Sequence, residues 1–231
     1  MDVATQVSPI ASRSATSATS TASLWPTCRS HSTATMMALL LPLAAYAASS
    51  KLVCETTVAV GNGQIEIELW DDVAPIGVQR LIAMVEDGFF TDLPLFRAIP
   101  NFLIQFGISP DRELQQRWQA KGNIADDPHS SIPFSDGIVS YAGYGKNSRS
   151  THLFLTLGNQ PGLGRSPWEV PVGKVVAGLD VMHGIYTGYG DKVDQGRLQP
   201  TNPKAKEYLE GFPKLDRWKS CRVERTGAVE L

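Results

Sequence analysis

The segment Leu95–Gly107 (LFRAIPNFLIQFG) holds the side chains best suited to chemistry. Its only polar side chains are those of Arg97, Asn101 and Gln105. A guanidinium and a carboxamide are costly to bury without partners, so we expect them to face a ligand or solvent. Pro100 has no N–H to donate and interrupts any single central strand. We therefore predict two short strands that meet at Pro100–Asn101, a bend that would bring Arg97, Phe102 and Gln105 onto one concave surface.

The composition is that of an ordinary globular protein and argues against several classes of function. The chain has 231 residues, 42% of them hydrophobic, which is enough for one large domain or one domain with a tail. A net charge of −2 and the lack of a Lys/Arg run argue against binding to nucleic acid. The three cysteines (Cys28, Cys54 and Cys221) lack metal-ligand spacing, and the sequence motifs of nucleotide-binding proteins, zinc peptidases and serine hydrolases are missing. We expect neither a metal nor an organic cofactor.

The N-terminal segment differs from the rest of the chain. Ser and Thr occupy 15 of the first 35 positions, a composition that buries too little apolar surface to fold. The apolar run Met36–Ala47 follows; it is too short to span a bilayer but suits the core of a signal peptide with small residues at the cleavage site. We interpret residues 1–47 as a targeting segment and residues 48–231 as the mature domain, with no stable membrane span after processing. Secretion and transport to a plastid (thylakoid) lumen both stay open, as does a disordered tail with an incidental apolar patch.

Sequence periodicity predicts mainly strands in the remainder of the chain. Ile65–Leu69 alternates apolar and acidic residues, as a half-buried strand does, and Asn62-Gly63 after the strand-like Thr57–Val60 predicts a hairpin turn. Pro75 suits the first turn of a helix and Gly88 its end. Four apolar residues of this helix share one face: Val78, Leu81, Ile82 and Val85.

The second half of the chain repeats these patterns. Residues 108–136 are predicted to form a loop with a short helix around Leu114–Gln119. Four strand patterns follow, at Gly137–Tyr141, His152–Leu157, Val170–Val176 and Trp218–Glu224. A second main helix is predicted at Leu179–Tyr186, with Leu179, Met182 and Ile185 facing inward. About eight strands and two helices in this order fit a mainly β fold, a closed antiparallel barrel capped by helices.

Several separated segments resemble the cyclophilin family of peptidyl-prolyl isomerases in their order and spacing. They are Ala74–Phe90, Phe96–Gly107, Gly137–Gly158 and Val172–Met182. The likeness runs from about Cys54 to Val223, and the long loop after Gly107 is similar to a divergent, bacterial-like branch. The resemblance implies a closed, eight-stranded antiparallel barrel capped by two helices.

The resemblance also implies a reaction, the rotation of X–Pro peptide bonds in proline-containing polypeptide segments during protein folding. Arg97 stands at the family's catalytic arginine position, and Gln105 matches the glutamine that braces this arginine and binds the substrate backbone. A guanidinium that donates toward the prolyl nitrogen stabilises the twisted amide more than the planar one. We expect a monomeric enzyme. A low-activity module that binds Pro-containing partners, and a purely structural barrel, are the alternatives.

The resemblance extends to the substrate-binding residues, with some departures. Phe102, Leu103, Phe154 and Leu163 match an apolar socket for the proline ring. Ala142 and Gly143 match the segment whose backbone holds the peptide before proline, and His152 stands where a glutamine is usual. Phe96 replaces a frequent histidine, and the longer segment Gln160–Glu169 lacks the family's tryptophan, so weak binding of cyclosporin is expected. Whether Trp168 folds back to line the socket stays open.

Cys54 and Cys221 fall in the first and last predicted strands, which lie close together in cyclophilin-like barrels. In an oxidising compartment they would form a disulfide that closes a very long loop. Two buried free thiols are the alternative.

Overall fold

Short antiparallel strands form one curled sheet in the computed structural model, which describes residues 49–226. The strands are β1 (Ser49–Thr56), β2 (Gln64–Leu69), β3 (Leu93–Pro94), β4 (Arg97–Ile99), β5 (Leu103–Phe106), β6 (Ile138–Tyr141), β7 (Leu153–Thr156), β8 (Pro171–Ala177) and β9 (Arg217–Thr226). The α-helices are α1 (Pro75–Glu86), α2 (Arg112–Ala120), α3 (Leu179–His183) and α4 (Ala205–Glu210), and a 3₁₀ helix covers Gln195–Leu198.

The strand order brings the two edges of the sheet together. Neighbouring strands follow the order β3-β9-β1-β2-β8-β6-β7-β5-β4, and each pair is antiparallel. The edge strands β3 and β4 are separated along the chain by Leu95 and Phe96 alone. The curled sheet therefore returns to its starting point through this short connection. The predicted mainly β antiparallel fold is confirmed, with nine strands instead of eight and four α-helices instead of two across residues 49–226.

Buried and more exposed side chains alternate along a strand such as β2, so that one of its faces lies in the main core. In β2, Ile65, Ile67 and Leu69 are buried while Glu68 is exposed, as the sequence alternation predicts. Helix α1 packs its apolar stripe against the same core: Val78, Leu81, Met84 and Val85 are buried, and Ile82 packs at its margin. The largest core side chains include Trp118, Trp218, Tyr141, Phe89 and Phe106. The helix thus covers the sheet with the stripe that its periodicity predicts.

Two local predictions were wrong, and one helix was missed. Thr57–Val60 forms no strand, because the β1–β2 pairing ends where Thr56 N–H donates to Gly63 O at 2.7 Å. Leu179 is 40% exposed, whereas Met182 and Ile185 face inward as predicted. Helix α4 was not predicted, because Leu209 is its only buried residue and gives no periodic signal.

The predicted targeting segment, residues 1–47, lies outside the described residues. Within the part that is described, every helix is too short or too polar to cross a membrane.

Candidate active site

The polar residues of Leu95–Gly107 are positioned by a tight turn between β4 and β5. Pro100 and Asn101 form this turn, which is closed by a hydrogen bond from Phe102 N–H to Ile99 O at 3.1 Å. Asn101 has a φ of 57°, a left-handed conformation that asparagine tolerates better than most residues. The predicted bend at Pro100–Asn101 is confirmed, and it reverses the chain so that β5 pairs with β4.

The reversal places Arg97 directly opposite Gln105 in the β4–β5 pair. Arg97 Nη1 donates to Gln105 Oε1 at 3.3 Å, and the guanidinium carbon lies 5.6 Å from the centre of the Phe102 ring. Gln105 is 8% exposed and Arg97 is half-buried. The guanidinium is therefore a permanent cation held by an amide on one side and bordered by an aromatic ring on another.

An apolar cluster lies on the same face of the sheet as Arg97. Gln105 is directly opposite Phe154 of β7, and residues directly opposite one another in antiparallel strands share a face. We call this cluster the socket; its members are Leu103, Phe134, Ile138 and Phe154, with Trp70, Phe102, Ala142 and Leu163 packed at its margin. The structure thus brings together Phe102, Leu103, Ala142, Phe154 and Leu163 from the set named by the resemblance.

Three members of the socket were missed from the sequence: Trp70, Phe134 and Ile138. Phe134 stacks on Phe154 with the ring centres 6.1 Å apart and the planes 24° apart. Phe134 lies in the long polar stretch before β6, and Trp70 directly follows β2, so neither belongs to a periodic pattern. Ile138 belongs to a predicted strand, but its side chain enters the socket and not the main core.

The opposite face of these strands belongs to the main core. Ala98, Ile104, Phe106, Leu153 and Leu155 are buried there together with residues of α1. Alternation along the strands therefore separates the side chains that hold the fold from those that line the socket.

His152 directly precedes β7, Phe96 directly precedes β4, and their two rings lie together. Their ring centres are 5.9 Å apart in an edge-to-face arrangement. Burial lowers the pKa of His152 below its ordinary value, so the imidazole is neutral at pH 7. Phe96 is fully buried in a second apolar cluster with Ile108 and Val193, so it presents no polar group next to Arg97.

The segment that follows β6 has two backbone carbonyl oxygens without a hydrogen-bond partner among residues 49–226. Ala142 N–H donates to His152 O at 3.0 Å, while no hydrogen bond within residues 49–226 uses the carbonyl oxygen of Ala142 or Gly143. Ser148 Oγ accepts hydrogen bonds from the N–H groups of Tyr144 at 2.8 Å and Gly145 at 3.0 Å. The hydroxyl of Ser148 thus fixes the shape of the loop.

Trp168 packs directly against Gly143. A Cβ atom built on Gly143 would lie 2.6 Å from Trp168 Cδ1 and 3.0 Å from Trp168 Cγ, closer than real side chains approach. The indole of Trp168 therefore occupies the space that any other residue at position 143 would need. Trp168 does fold back toward the predicted substrate-binding segment.

The chemistry available here is electrostatic and not covalent. Arg97 supplies a fixed positive charge, Gln105 an amide, and the socket an apolar surface. No group of three or more His, Cys, Asp or Glu side chains suited to a metal occurs within the described part of the chain.

Cys54 of β1 and Cys221 of β9 lie opposite each other in the sheet and are joined by a disulfide.

Comparison with known proteins agrees with this geometry. Residues 55–205 match the model of the family described as cyclophilin type peptidyl-prolyl cis-trans isomerase/CLD. The chain belongs to this family. Cyclophilin membership accounts for the curled sheet and for the order of its strands.

Peptidyl-prolyl isomerases from fungi are moderately similar to the chain. Peptidyl-prolyl cis-trans isomerase ppi1 of Schizosaccharomyces pombe is 33% identical over 52% of this chain and 76% of its own length. Peptidyl-prolyl cis-trans isomerase 9 of the same yeast is 31% identical over 61% of this chain, and peptidyl-prolyl isomerase cwc27 of Rhizopus delemar is 29% identical over 47%. The alignments span only 23% and 20% of these last two proteins.

A solved structure supports the fold. A cyclophilin type peptidyl-prolyl cis-trans isomerase from Cryptosporidium parvum superimposes with a TM-score of 0.53 over 76% of this chain and 98% of its own, at 16% identity. A second crystal structure of that protein was determined in the presence of the dipeptide Ala-Pro.

Proposed function

We propose that this cyclophilin catalyses cis–trans rotation of X–Pro peptide bonds in polypeptide segments, with Arg97 stabilising the twisted amide. The observation that supports this most directly is the placement of one braced guanidinium at the margin of an apolar socket. Family membership supports the same activity.

The physical requirement of the reaction matches this arrangement. Rotation of the amide faces a barrier of about 18–20 kcal/mol because it breaks the resonance of the C–N bond. In the twisted state the prolyl nitrogen recovers its lone pair and accepts a hydrogen bond that the planar amide accepts poorly. A donor fixed near that nitrogen therefore binds the transition state better than the ground state. A millionfold acceleration needs the barrier to fall by roughly 8 kcal/mol.

The socket supplies the second part of this stabilisation. The proline ring is apolar and fits against Phe102, Leu103 and Phe154, which remove it from water. With the ring held, rotation moves the carbonyl group on the other side of the bond. The loss of water also strengthens the interaction between the guanidinium and the prolyl nitrogen.

The role of Arg97 can be tested in the full chain with a proline-containing peptide whose isomerisation is followed by NMR exchange. We expect Arg97→Ala to lower kcat/KM by at least about a hundredfold, since about 2.7 kcal/mol or more is typical for a lost transition-state donor. Arg97→Lys should restore little, because a point charge lacks the planar fork of the guanidinium. Arg112→Ala, which removes an exposed arginine on α2, is the matched control and should leave the rate unchanged. A rate unaffected by Arg97→Ala would remove Arg97 from this role.

A second candidate is a module that binds Pro-containing partners with little turnover. The observation in its favour is Phe96, which is fully buried beside Arg97 and leaves the guanidinium without a second polar neighbour at that position. This module would bind the same peptides in an NMR titration without raising their exchange rate above background. An isomerase would raise the rate at substoichiometric concentrations.

We further propose that the chain acts as a monomer on proteins that fold in an oxidising compartment, either the secretory pathway or a plastid (thylakoid) lumen. The disulfide between Cys54 and Cys221 supports an oxidising environment, because the cytosol keeps such cysteines reduced. Fluorescent fusions of residues 1–47 and of the full chain would distinguish the two destinations. Cytosolic fluorescence of both fusions would contradict the proposal, as would a dimer in analytical ultracentrifugation.

A further inference from the structure

The space around Gly143 is filled by another side chain of the same molecule. Trp168 Cδ1 and Cγ lie 2.6 and 3.0 Å from the position of a Cβ on Gly143, so any larger residue there would displace the indole. Both residues are half-buried. The indole therefore presents part of its surface beside the backbone of Gly143.

The segment that carries Trp168 is fixed in place. Glu169 Oε2 accepts hydrogen bonds from Gly164 N–H at 3.1 Å and Ser166 N–H at 3.2 Å, and Glu169 N–H donates to Ser166 O at 2.9 Å. These bonds close the segment 164–169 into a compact turn. The position of Trp168 is therefore set by the fold of this segment and not by loose packing on the surface.

The same segment is attached to the socket. A Cβ on Gly164 would lie 2.7 Å from Phe134 Cε2, so the backbone of this turn rests on the Phe134 ring. Phe134 in turn stacks on Phe154 in the socket. A continuous set of contacts thus connects the surface for the proline ring with the indole beside Gly143.

The polar backbone near the indole can align a peptide. The carbonyl oxygens of Ala142 and Gly143 accept no hydrogen bond within residues 49–226, and Ala142 packs at the margin of the socket. A peptide that places its proline ring in the socket and its preceding residue along Ala142–Gly143 brings that residue's side chain next to Trp168. This step rests on the proposed function.

We propose that Trp168 is a specificity-determining residue, which favours a large apolar side chain, such as Phe or Leu, immediately before the proline. An indole offers a broad apolar surface and no charge, so it stabilises aromatic and aliphatic side chains more than it stabilises glycine or a carboxylate. Gly143 is required because it leaves room for the indole.

The test uses the full chain and four peptides of the form Ala-Xaa-Pro-Phe, with Xaa as Phe, Leu, Gly or Glu. Both kcat/KM from NMR exchange and the Kd from chemical-shift titration are measured. Trp168→Ala should lower the Phe-to-Gly preference by about three- to tenfold, the size typical of an aromatic contact. Trp168→Phe should retain most of the preference. Val176→Ala, which shortens an exposed apolar side chain on β8, should leave it unchanged.

A double-mutant cycle tests the contact itself. Gly143→Ala should reduce the preference in the wild-type background, because its Cβ displaces the indole, and should add little in the Trp168→Ala background. Equal effects of Gly143→Ala in both backgrounds would overturn the role of Trp168. Thermal unfolding of each variant separates a change in preference from a loss of structure.

The outcomes separate this inference from the proposed function. Turnover with a Phe-to-Gly preference that Trp168→Ala leaves unchanged would overturn the inference alone. Faster turnover of all four peptides in Trp168→Ala would also overturn it, since the indole would then obstruct the site. Binding without turnover would overturn the proposed function, while a reduced ratio of the two Kd values in Trp168→Ala would still support the inference. Failure to bind any of the peptides would overturn both.

Discussion

Arg149 and Asp127 form an ion pair from which solvent is fully excluded. Arg149 Nη1 lies 2.7 Å from Asp127 Oδ2, and neither side chain is exposed. The two oxygens of Asp127 also accept hydrogen bonds from the first turn of α1, from Ile76 N–H at 2.8 Å and Gly77 N–H at 2.9 Å. Because Arg149 lies in the loop between β6 and β7, this pair fastens the loop to the N-terminus of the helix.

Removing the charge of Asp127 should therefore be strongly destabilising. Asp127→Asn keeps the size of the side chain but removes the carboxylate 2.7 Å from Arg149 Nη1, which leaves the buried guanidinium with only the carboxylate of Asp126, 3.7 Å from Nε. We expect the free energy of unfolding to fall by about 3–5 kcal/mol, the size found when one partner of a buried pair is removed. Denaturation in urea measures the loss.

Two further variants make this result specific to the ion pair. Asp72→Asn removes an exposed carboxylate just before α1 and should change stability by less than about 0.5 kcal/mol. Arg149→Met in the Asp127→Asn background should recover part of the loss, because it removes the buried charge that has lost its nearest counterion. Equal stabilities of Asp127→Asn and Asp72→Asn would contradict the importance of the pair.

Gln105 should affect the rate through Arg97. Gln105→Leu keeps a similar side-chain volume but removes the acceptor that lies 3.3 Å from Arg97 Nη1. We expect kcat/KM to fall by about tenfold, which corresponds to about 1.4 kcal/mol and to the loss of one hydrogen bond to a charged group. NMR exchange of a proline peptide measures the rate, and Gln119→Leu on the exposed face of α2 is the matched control.

If Gln105 acts by positioning the guanidinium, Gln105→Glu should retain the orientation of Arg97 and should keep more activity than Gln105→Leu. Equal activities of the two variants would assign Gln105 to substrate binding alone.

The site could be predicted from sequence where its geometry depends on near neighbours in the chain. Arg97 and Gln105 are eight residues apart, and Pro100 between them forces a turn that sets them opposite each other. The resemblance to the family added Phe154, which lies on β7 directly opposite Gln105 of β5.

Contacts between distant loops could not be predicted in this way. Trp168 and Gly143 lie in two different loops, and nothing in periodicity or composition relates them. Thr57–Val60 shows the opposite failure, because its β-branched residues suggest a strand. Val58 is buried through packing of a loop, close to Gly184 at the end of α3, and not through pairing in the sheet. At this position tertiary packing determined the conformation, in spite of the local preference of these residues for a strand.

His152 should make the protein sensitive to acid. Burial lowers its pKa in the folded state below the ordinary value of 6.5, so the unfolded chain takes up this proton first as the pH falls. The free energy of unfolding should therefore decrease progressively below about pH 6.5.

Urea denaturation at pH 7 and pH 5 checks this dependence. His152→Gln cannot bind the proton, so the variant should lose less stability between the two pH values than the wild type. His129→Gln, which replaces an exposed histidine, should lose as much as the wild type. The same loss in all three proteins would show that the pKa of His152 does not differ between the folded and unfolded states.

The disulfide between Cys54 and Cys221 should stabilise the fold mainly by restricting the unfolded chain. The two cysteines are separated by 167 residues, and the chain-entropy model gives about 4–5 kcal/mol for a loop of this length.

Urea denaturation of a Cys28→Ser variant, with and without reductant, measures the difference. In the same background, Cys54→Ala/Cys221→Ala should be insensitive to reductant. Because β1 and β9 are also paired along their length as neighbouring strands, we expect the reduced protein to fold and to unfold at lower urea concentration. An unchanged midpoint after complete reduction, verified by mass spectrometry of the alkylated thiols, would show that the bond does not limit the unfolded chain.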